Sequence, residues 1–359
     1  MRAVVRRDKR LVCDEIAEPV PGAGQVLVKT LACGICGSDL HALHSFEHML
    51  ELGARGGQPS SIDPSADIVF GHEFCAEILD HGPGTTGAMK AGTRVVTVPM
   101  TMGPAGFEAV GYSNRFPGGY SERMVLTEAM LLAVPNGLAD NHAAMTEPFA
   151  VGEHAVAQSA ADKDSVCLVV GCGPVGLAVI AALKLRGLGP VVATDFSPAR
   201  RAMAARLGAD LVIDPAAENP HARWAEWNVP ATMAQRAMAQ MTGAQAKRAI
   251  IFECVGVPGV LQALIEGAPA GSQIIVAGVC MATDKIEPSL CINKQLEFKF
   301  VLGYSPQEFA DTLSNIAEGR IDVAPIITST VGLDGVAAAF QALGDPEAQC
   351  KIVVDPRLV

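Results

Sequence analysis

The 359-residue sequence contains no run of about 18 apolar residues free of charge, the length that a membrane-spanning helix needs. Its start, Met1-Arg2-Ala3-Val4-Val5-Arg6-Arg7, passes into a strand pattern without the apolar core of a signal peptide, so a cytoplasmic protein is expected. Positive charge is scarce: 27 Lys and Arg stand against 38 Asp and Glu, a net charge of −11. That balance disfavours nucleic acid and anionic membranes as partners, since both need clustered cations to replace counterions. Ten cysteines are too few for a disulfide scaffold in a chain this long, and several, such as Cys167 and Cys254, lie in apolar runs. Reduced thiols or metal ligands are expected instead. There is no internal repeat and no low-complexity segment. What remains is 50% hydrophobic and only 18% charged, a compact chain with enough length for two cored domains.

The first third reads as short β patterns, Ala3-Val4-Val5, Gln25 to Lys29, Ile68 to Phe70, Cys75 to Leu79 and Thr93 to Val98, broken by Gly and Pro, as in a small antiparallel barrel. His44 to Gly53 predicts a short amphipathic helix, and Met100 to Tyr120 predicts irregular chain. From Ser165 the pattern changes to buried strands alternating with helices, the signature of a doubly wound parallel sheet.

Within that second region Gly171-Cys172-Gly173-Pro174-Val175-Gly176 follows an apolar strand and opens a helix. Gly171 permits a tight turn, Gly173 lets a pyrophosphate approach the backbone, and Gly176 lets helix and strand pack closely. Asp195 ends the next strand, at the remove expected of the acid that binds a ribose diol. Its carboxylate would repel the additional phosphate of NADP, so NAD is expected; the competing reading makes Asp195 a helix cap. Arg200 either lies against the adenosine or is a solvated helix residue.

A catalytic zinc takes about three ligands from Cys, His and carboxylate and leaves one position open. Cys36, His72 and one of Glu73 or Glu147 meet that need. Cys33 completes a Cys-x-x-Cys with Cys36 and reads as a core thiol. His41, His44 and His48 share one helical face and offer either a second metal site or a polar surface.

The order Gly-Ile-Cys-Gly-Ser-Asp-Leu-His at 34–41, Gly-His-Glu at 71–73, Glu-Pro at 147–148 and Gly-x-Gly-Pro-Val-Gly at 171–176 resembles the zinc-dependent medium-chain alcohol dehydrogenases, in particular the polyol, butanediol and threonine branch. The resemblance covers essentially the whole chain. It implies an α/β fold in which a GroES-like β-barrel catalytic domain, residues 1–149 and 305–359, surrounds a Rossmann NAD-binding domain, residues 150–304. It further implies that Cys36, His72 and Glu147 hold zinc, that Glu73 exchanges with water on the metal, and that Asp39 orients His72. Ser38 and His41 become a proton relay through the nicotinamide ribose, and the protein becomes a homodimer or homotetramer.

Three departures from the family pattern bear on the expectations. No cysteine occurs between Met100 and Tyr120, so the lobe that binds a structural zinc in many members is missing and one catalytic zinc alone is expected. Ala76 replaces a glycine, which crowds its strand slightly. Ala42 stands where sorbitol dehydrogenases carry a substrate-contacting tyrosine. The segment from Ala42 to Phe70 is long and is expected to form a lid or pocket wall. With Met100 and Met102 it suggests an apolar pocket and a medium-sized hydrophobic secondary alcohol. The alternatives are a zinc-free enone or quinone reductase of the same fold and a non-catalytic protein that binds NAD or metal.

Overall fold

The computed structural model describes residues 1–104 and 106–358. These divide into two units, Met1–Glu147 with Phe309–Val359, and Pro148–Glu308. No helix among the described residues is long and apolar enough to cross a membrane.

The second unit is built on six parallel strands in the order Leu211–Ile213, Val191–Thr194, Ser165–Val170, Arg248–Glu253, Gln273–Val276, Glu297–Phe300. In chain order this is 3-2-1-4-5-6, with the strand order reversing beside Ser165–Val170. Cys167 pairs with Val191 on one side and Ile250 on the other, and Val166 to Val169 are wholly buried. A strand covered on both faces must be apolar throughout, which is why this run shows no alternation. Helices Pro174–Leu185 and Pro198–Arg206 follow the first two strands, each with proline in its first turn, where a missing N–H costs nothing.

His221 is packed in this unit with its Nδ1 lacking a hydrogen-bond partner. Burial, helped by nearby Lys294, pushes its pKa down to about 4. A histidine in the unfolded chain titrates near about 6.5, so between these values the unfolded chain binds the proton first. This contribution is complete above about pH 6.5 and is lost as pH falls toward about 4, a difference on the order of 2 kcal/mol. In urea titrations at pH 7 and pH 4.5, His221→Phe is expected to lose less stability on acidification than the wild type. Equal losses in the two proteins would refute this assignment.

The first unit contains a sheet ordered Leu132–Ala133, Arg94–Val96, Glu73–His81, Gln25–Gly34, Lys351–Val354, Ile327–Val331, with Arg123–Thr127 also paired to Gln25–Gly34. The chain's last strand thus enters the sheet of the first residues, Val353 opposite Gly34 and Val354 opposite Cys33. A core of Val4, Val26, Val28, Phe70, Ile78, Met124, Leu333 and Ile352 lies beneath.

Two local expectations are corrected. The helix expected from His44 begins earlier and runs Gly37–Arg55, with a kink at Ser45 (φ −122°, ψ 26°). Cys36 caps it in extended geometry, and Asp39 in the first turn accepts from the Cys36 backbone N–H at 3.2 Å. Gly-Ser-Asp looks like loop sequence, but these are helix-starting residues. Within the stretch expected to be irregular, Met100–Gly103 and Gly106–Ala109 form an antiparallel hairpin, bound to the barrel by Met102 N–H donating to Thr127 Oγ1 at 2.8 Å and by Gln25 Nε2 donating to the Met102 carbonyl at 2.7 Å.

Candidate active site

The strand Gln25–Gly34 delivers Cys36 to the cap of the helix Gly37–Arg55, and Gly71 delivers His72 to the start of the strand Glu73–His81. Gly71 has φ +104°, and a Cβ there would lie 2.8 Å from the Tyr120 ring and 2.9 Å from Cys33 Sγ, so only glycine makes this turn. Gly34 is required for a different reason: its Cβ would sit 2.0 Å from a Glu73 carboxylate oxygen.

Ligand atoms of Cys36, His72 and Glu73 lie within 4.8 Å of one another, and among the described residues no other group of Cys, His, Asp and Glu converges in this way. Glu147, the second residue of the helix Thr146–Ala157, is buried but lies outside that group; its charge reaches Lys351. His41, His44 and His48 are exposed and do not gather into a metal site. Cys33 is a buried thiol whose pKa burial pushes well up, and it stands outside the cluster.

Behind these residues lies a wholly buried carboxylate, Asp39. It accepts from Tyr120 Oη at 2.7 Å and from Tyr112 Oη at 2.8 Å, and its Oδ1 lies 3.4 Å from His72 Nδ1. Burial works to raise the Asp39 pKa; His72 and the two phenols overcome it and hold the carboxyl below its usual range. Burial likewise opposes a charged His72, but the negative charge of Asp39 and Cys36 outweighs it, so the imidazole titrates well above its ordinary value. The pocket's field therefore calls for a cation. A thiol, an imidazole and a carboxylate in reach of one another, with the buried Asp39 carboxylate behind the imidazole's Nδ1, fit zinc.

Three further neighbours come from parts of the chain that the sequence does not link to the site. Lys351 Nζ, buried at the start of the last strand, lies 2.7 Å from each Glu73 oxygen and donates to the Ile35 carbonyl at 2.9 Å. Tyr112 Oη lies 3.0 Å from Ser38 Oγ as well as 2.8 Å from Asp39, and Tyr120 closes the other side of Asp39. His41 is exposed one turn beyond Ser38.

In the second unit, a Cβ on Gly176 would meet the Gly171 carbonyl oxygen at 1.8 Å, so helix and strand do touch at the close approach expected there. Both Asp195 oxygens are held by backbone N–H groups, Oδ2 by Cys172 in the glycine turn at 2.7 Å and Oδ1 by Ser197 at 2.8 Å. Asp195 is not the helix cap: Ser197 is, accepting from Arg200 N–H at 3.1 Å. Arg200 extends back toward the turn, its Nη1 4.0 Å from where a Gly173 Cβ would be, and its buried Nε has no hydrogen-bond partner.

Residues 22–136 match the alcohol dehydrogenase GroES-like domain and residues 174–318 the zinc-binding dehydrogenase domain. The (R,R)-butanediol dehydrogenase of Bacillus subtilis (strain 168) is 31% identical over 358 residues, covering 97% of each chain. The chain belongs to the zinc-binding alcohol dehydrogenase family. A sorbitol dehydrogenase of the same organism is 24% identical over 99% of this chain and 97% of its own. The crystal structure of 2R,3R-butanediol dehydrogenase from Bacillus subtilis superposes with a TM-score of 0.78 at 28% identity, over 99% of both chains. A GroES-like barrel and a Rossmann sheet are thus the two units described above, and the activity is that of a dehydrogenase acting on an alcohol group with a nicotinamide cofactor.

Proposed function

We propose that the protein oxidises a medium-sized secondary alcohol with NAD, or reduces the matching ketone, at a single zinc site. The observation that carries this reading is the convergence of Cys36, His72 and Glu73 donor atoms within 4.8 Å, beside the Ser38 hydroxyl. Cys36 and His72 would hold the metal. Glu147 would be the third ligand, because Lys351 engages both oxygens of Glu73. Zinc in this place supplies Lewis acidity toward the alcohol oxygen. Ser38 takes the hydroxyl proton, and exposed His41 hands it to water. Asp39 fixes the His72 ring. The turn Gly171, Gly173, Pro174, Val175, Gly176 offers backbone N–H groups and a helix N-terminus to the pyrophosphate, while Asp195 accepts from the ribose hydroxyls and Arg200 lies along the adenosine.

One zinc per chain is consistent with the hairpin Met100–Gly103/Gly106–Ala109, where Glu108 pairs with Arg115 at 2.6 Å and accepts from Ser113 at 3.1 Å. An apolar substrate is supported by Tyr112, whose ring lies 5.3 Å from that of His72 and is backed by the buried rings of Phe46 and Phe70. Met100 and Met102 belong to the hairpin and add nothing to that argument. A homodimer or homotetramer is supported by Glu297–Phe300, an edge strand that leaves Phe300 69% and nearby Leu302 83% exposed.

The test is steady-state NAD reduction over a panel of secondary alcohols, sorbitol and threonine. Wild type is expected to favour NAD over NADP by about 100-fold in kcat/KM, and Asp195→Gly to narrow that ratio by about tenfold. Equal or better turnover of sorbitol or threonine would reject the apolar substrate, and NADP preference would reject the role of Asp195.

A further inference from the structure

We propose that Tyr112 is a positioning residue that sets the direction of the Ser38 hydroxyl proton, and that the inserted helix holds it in place through Phe46. This rests on Ser38 being the group that takes the alcohol's proton.

A phenol carries one proton, and Tyr112 Oη has two partners in reach, Asp39 Oδ1 at 2.8 Å and Ser38 Oγ at 3.0 Å. A carboxylate can only accept. When the phenol donates to Asp39, its own lone pair accepts the Ser38 proton, which is then turned away from both the substrate and His41, and the relay rests. When the phenol donates to Ser38, it occupies one Ser38 lone pair; in oxidation the other lone pair takes the alcohol's proton as the Ser38 proton passes on toward His41, and in reduction the Ser38 proton goes to the ketone's oxygen and is replaced from the His41 side. The two arrangements differ by rotation of two O–H bonds, with every heavy atom in place. Ser38 can thus serve both directions of the reaction once Tyr112 donates to it, releasing one proton for each it takes, and no charge is created on the phenol.

This requires that the ring of Tyr112 not move, and the structure shows how it is fixed. Phe46 stacks on it at 6.2 Å between centroids and 11° between planes, while Phe70 and His72 flank it at 5.5 and 5.3 Å. Phe46 is buried, and the guanidinium of Arg6 lies 5.4 Å from its ring centroid. Arg6, itself buried, donates to the Leu43 and Pro64 carbonyls at 3.3 and 2.8 Å and to Glu47 at 3.0 Å. The segment from Ala42 to Phe70 is therefore a buttress for the relay. The kink at Ser45 turns the helix just where Phe46 must face Tyr112.

The test compares wild type, Tyr112→Phe, Phe46→Leu and the double variant. For each, kcat, KM for the alcohol, the solvent deuterium isotope effect on kcat, zinc content by native mass spectrometry and the thermal midpoint are measured. Tyr112→Phe keeps the ring and its stack. It is expected to lower kcat about 20-fold with KM within about twofold, to raise the isotope effect as proton transfer becomes limiting, and to keep one zinc. Phe46→Leu, which leaves the hydroxyl intact, should lower kcat about fivefold, and the double variant should fall no further than Tyr112→Phe alone, because both act through one contact. Unchanged kcat in Tyr112→Phe, a loss that follows zinc content, a rise in KM alone, or additive losses in the double variant would each overturn the proposal. A wild type that turns over no secondary alcohol would overturn the reading beneath it, whereas an active wild type with an unaffected Tyr112→Phe overturns this proposal alone.

Discussion

Cys36→Ser is expected to purify without zinc and to lose about a thousandfold or more in kcat/KM, while remaining folded. The loss follows from the ligand set: removing the one soft donor of three leaves an imidazole and a carboxylate, and the several kcal/mol that a Lewis acid contributes to the developing charge goes with it. Stability is separable because of where Cys36 sits. It is the cap of the helix Gly37–Arg55, with extended φ and ψ of −90° and 152°, and serine is among the best residues for that place. The variant's helix should therefore start at least as well as the wild type's, so that inactivity cannot be ascribed to a lost fold. Native mass spectrometry and NAD reduction on the same preparation decide the matter. A serine variant that retains one zinc and full turnover would sink the assignment, and so would a wild type that is active with no zinc at all.

What could be read from the sequence was whatever depends on neighbours along the chain. The glycine turn at Gly171 follows a buried strand and precedes a helix, so its meaning is local, and the same holds for Gly71-His72-Glu73 at a strand's start. Ser38 and Asp39 are legible as chemistry, but the helix they open is not, because Gly-Ser-Asp has poor propensity inside a helix and good propensity at its first turn. The groups that complete the site come from far away. Glu73 and Lys351 are 278 residues apart, and Asp39 and Tyr120 are 81 apart. Only the pairing of the strand Lys351–Val354 with the end of Gln25–Gly34 brings the lysine in. A signal for it did exist: one cation at the head of an otherwise apolar strand, Lys351-Ile352-Val353-Val354, has to find a partner if it is buried. A signal for the tyrosines was fainter. Two of only three in the chain fall in the glycine-rich stretch 111–120, and nothing in that stretch's pattern says which way its rings face.

Lys351→Met is the substitution with the largest expected effect on stability. Lys351 is 1% exposed and Glu73 is wholly buried, so the pair is out of water. Burial opposes the ammonium, yet Glu73 outweighs it and holds the Lys351 pKa up to about 12, so the lysine stays charged throughout the neutral range. Replacing it with methionine leaves the Glu73 carboxylate and the Ile35 carbonyl without their donor in a dry site, a loss of about 3–5 kcal/mol measured by urea unfolding. The same change frees Glu73. One of its oxygens already lies within 4.8 Å of the Cys36 and His72 donors, so the released carboxylate is expected to compete with substrate for the open metal position, lowering kcat/KM and slowing zinc loss to a chelator. Glu73→Gln alone should cost stability as well, because it leaves the buried Lys351 ammonium without its carboxylate, and in the Lys351→Met background it should remove the competition at the metal. In the double variant both charges are gone, and most of the lost stability should return, giving a coupling energy of at least about 2 kcal/mol in the cycle. Additive losses would mean that Lys351 acts on something other than Glu73, and the case for Glu147 as the resting ligand would fall with it.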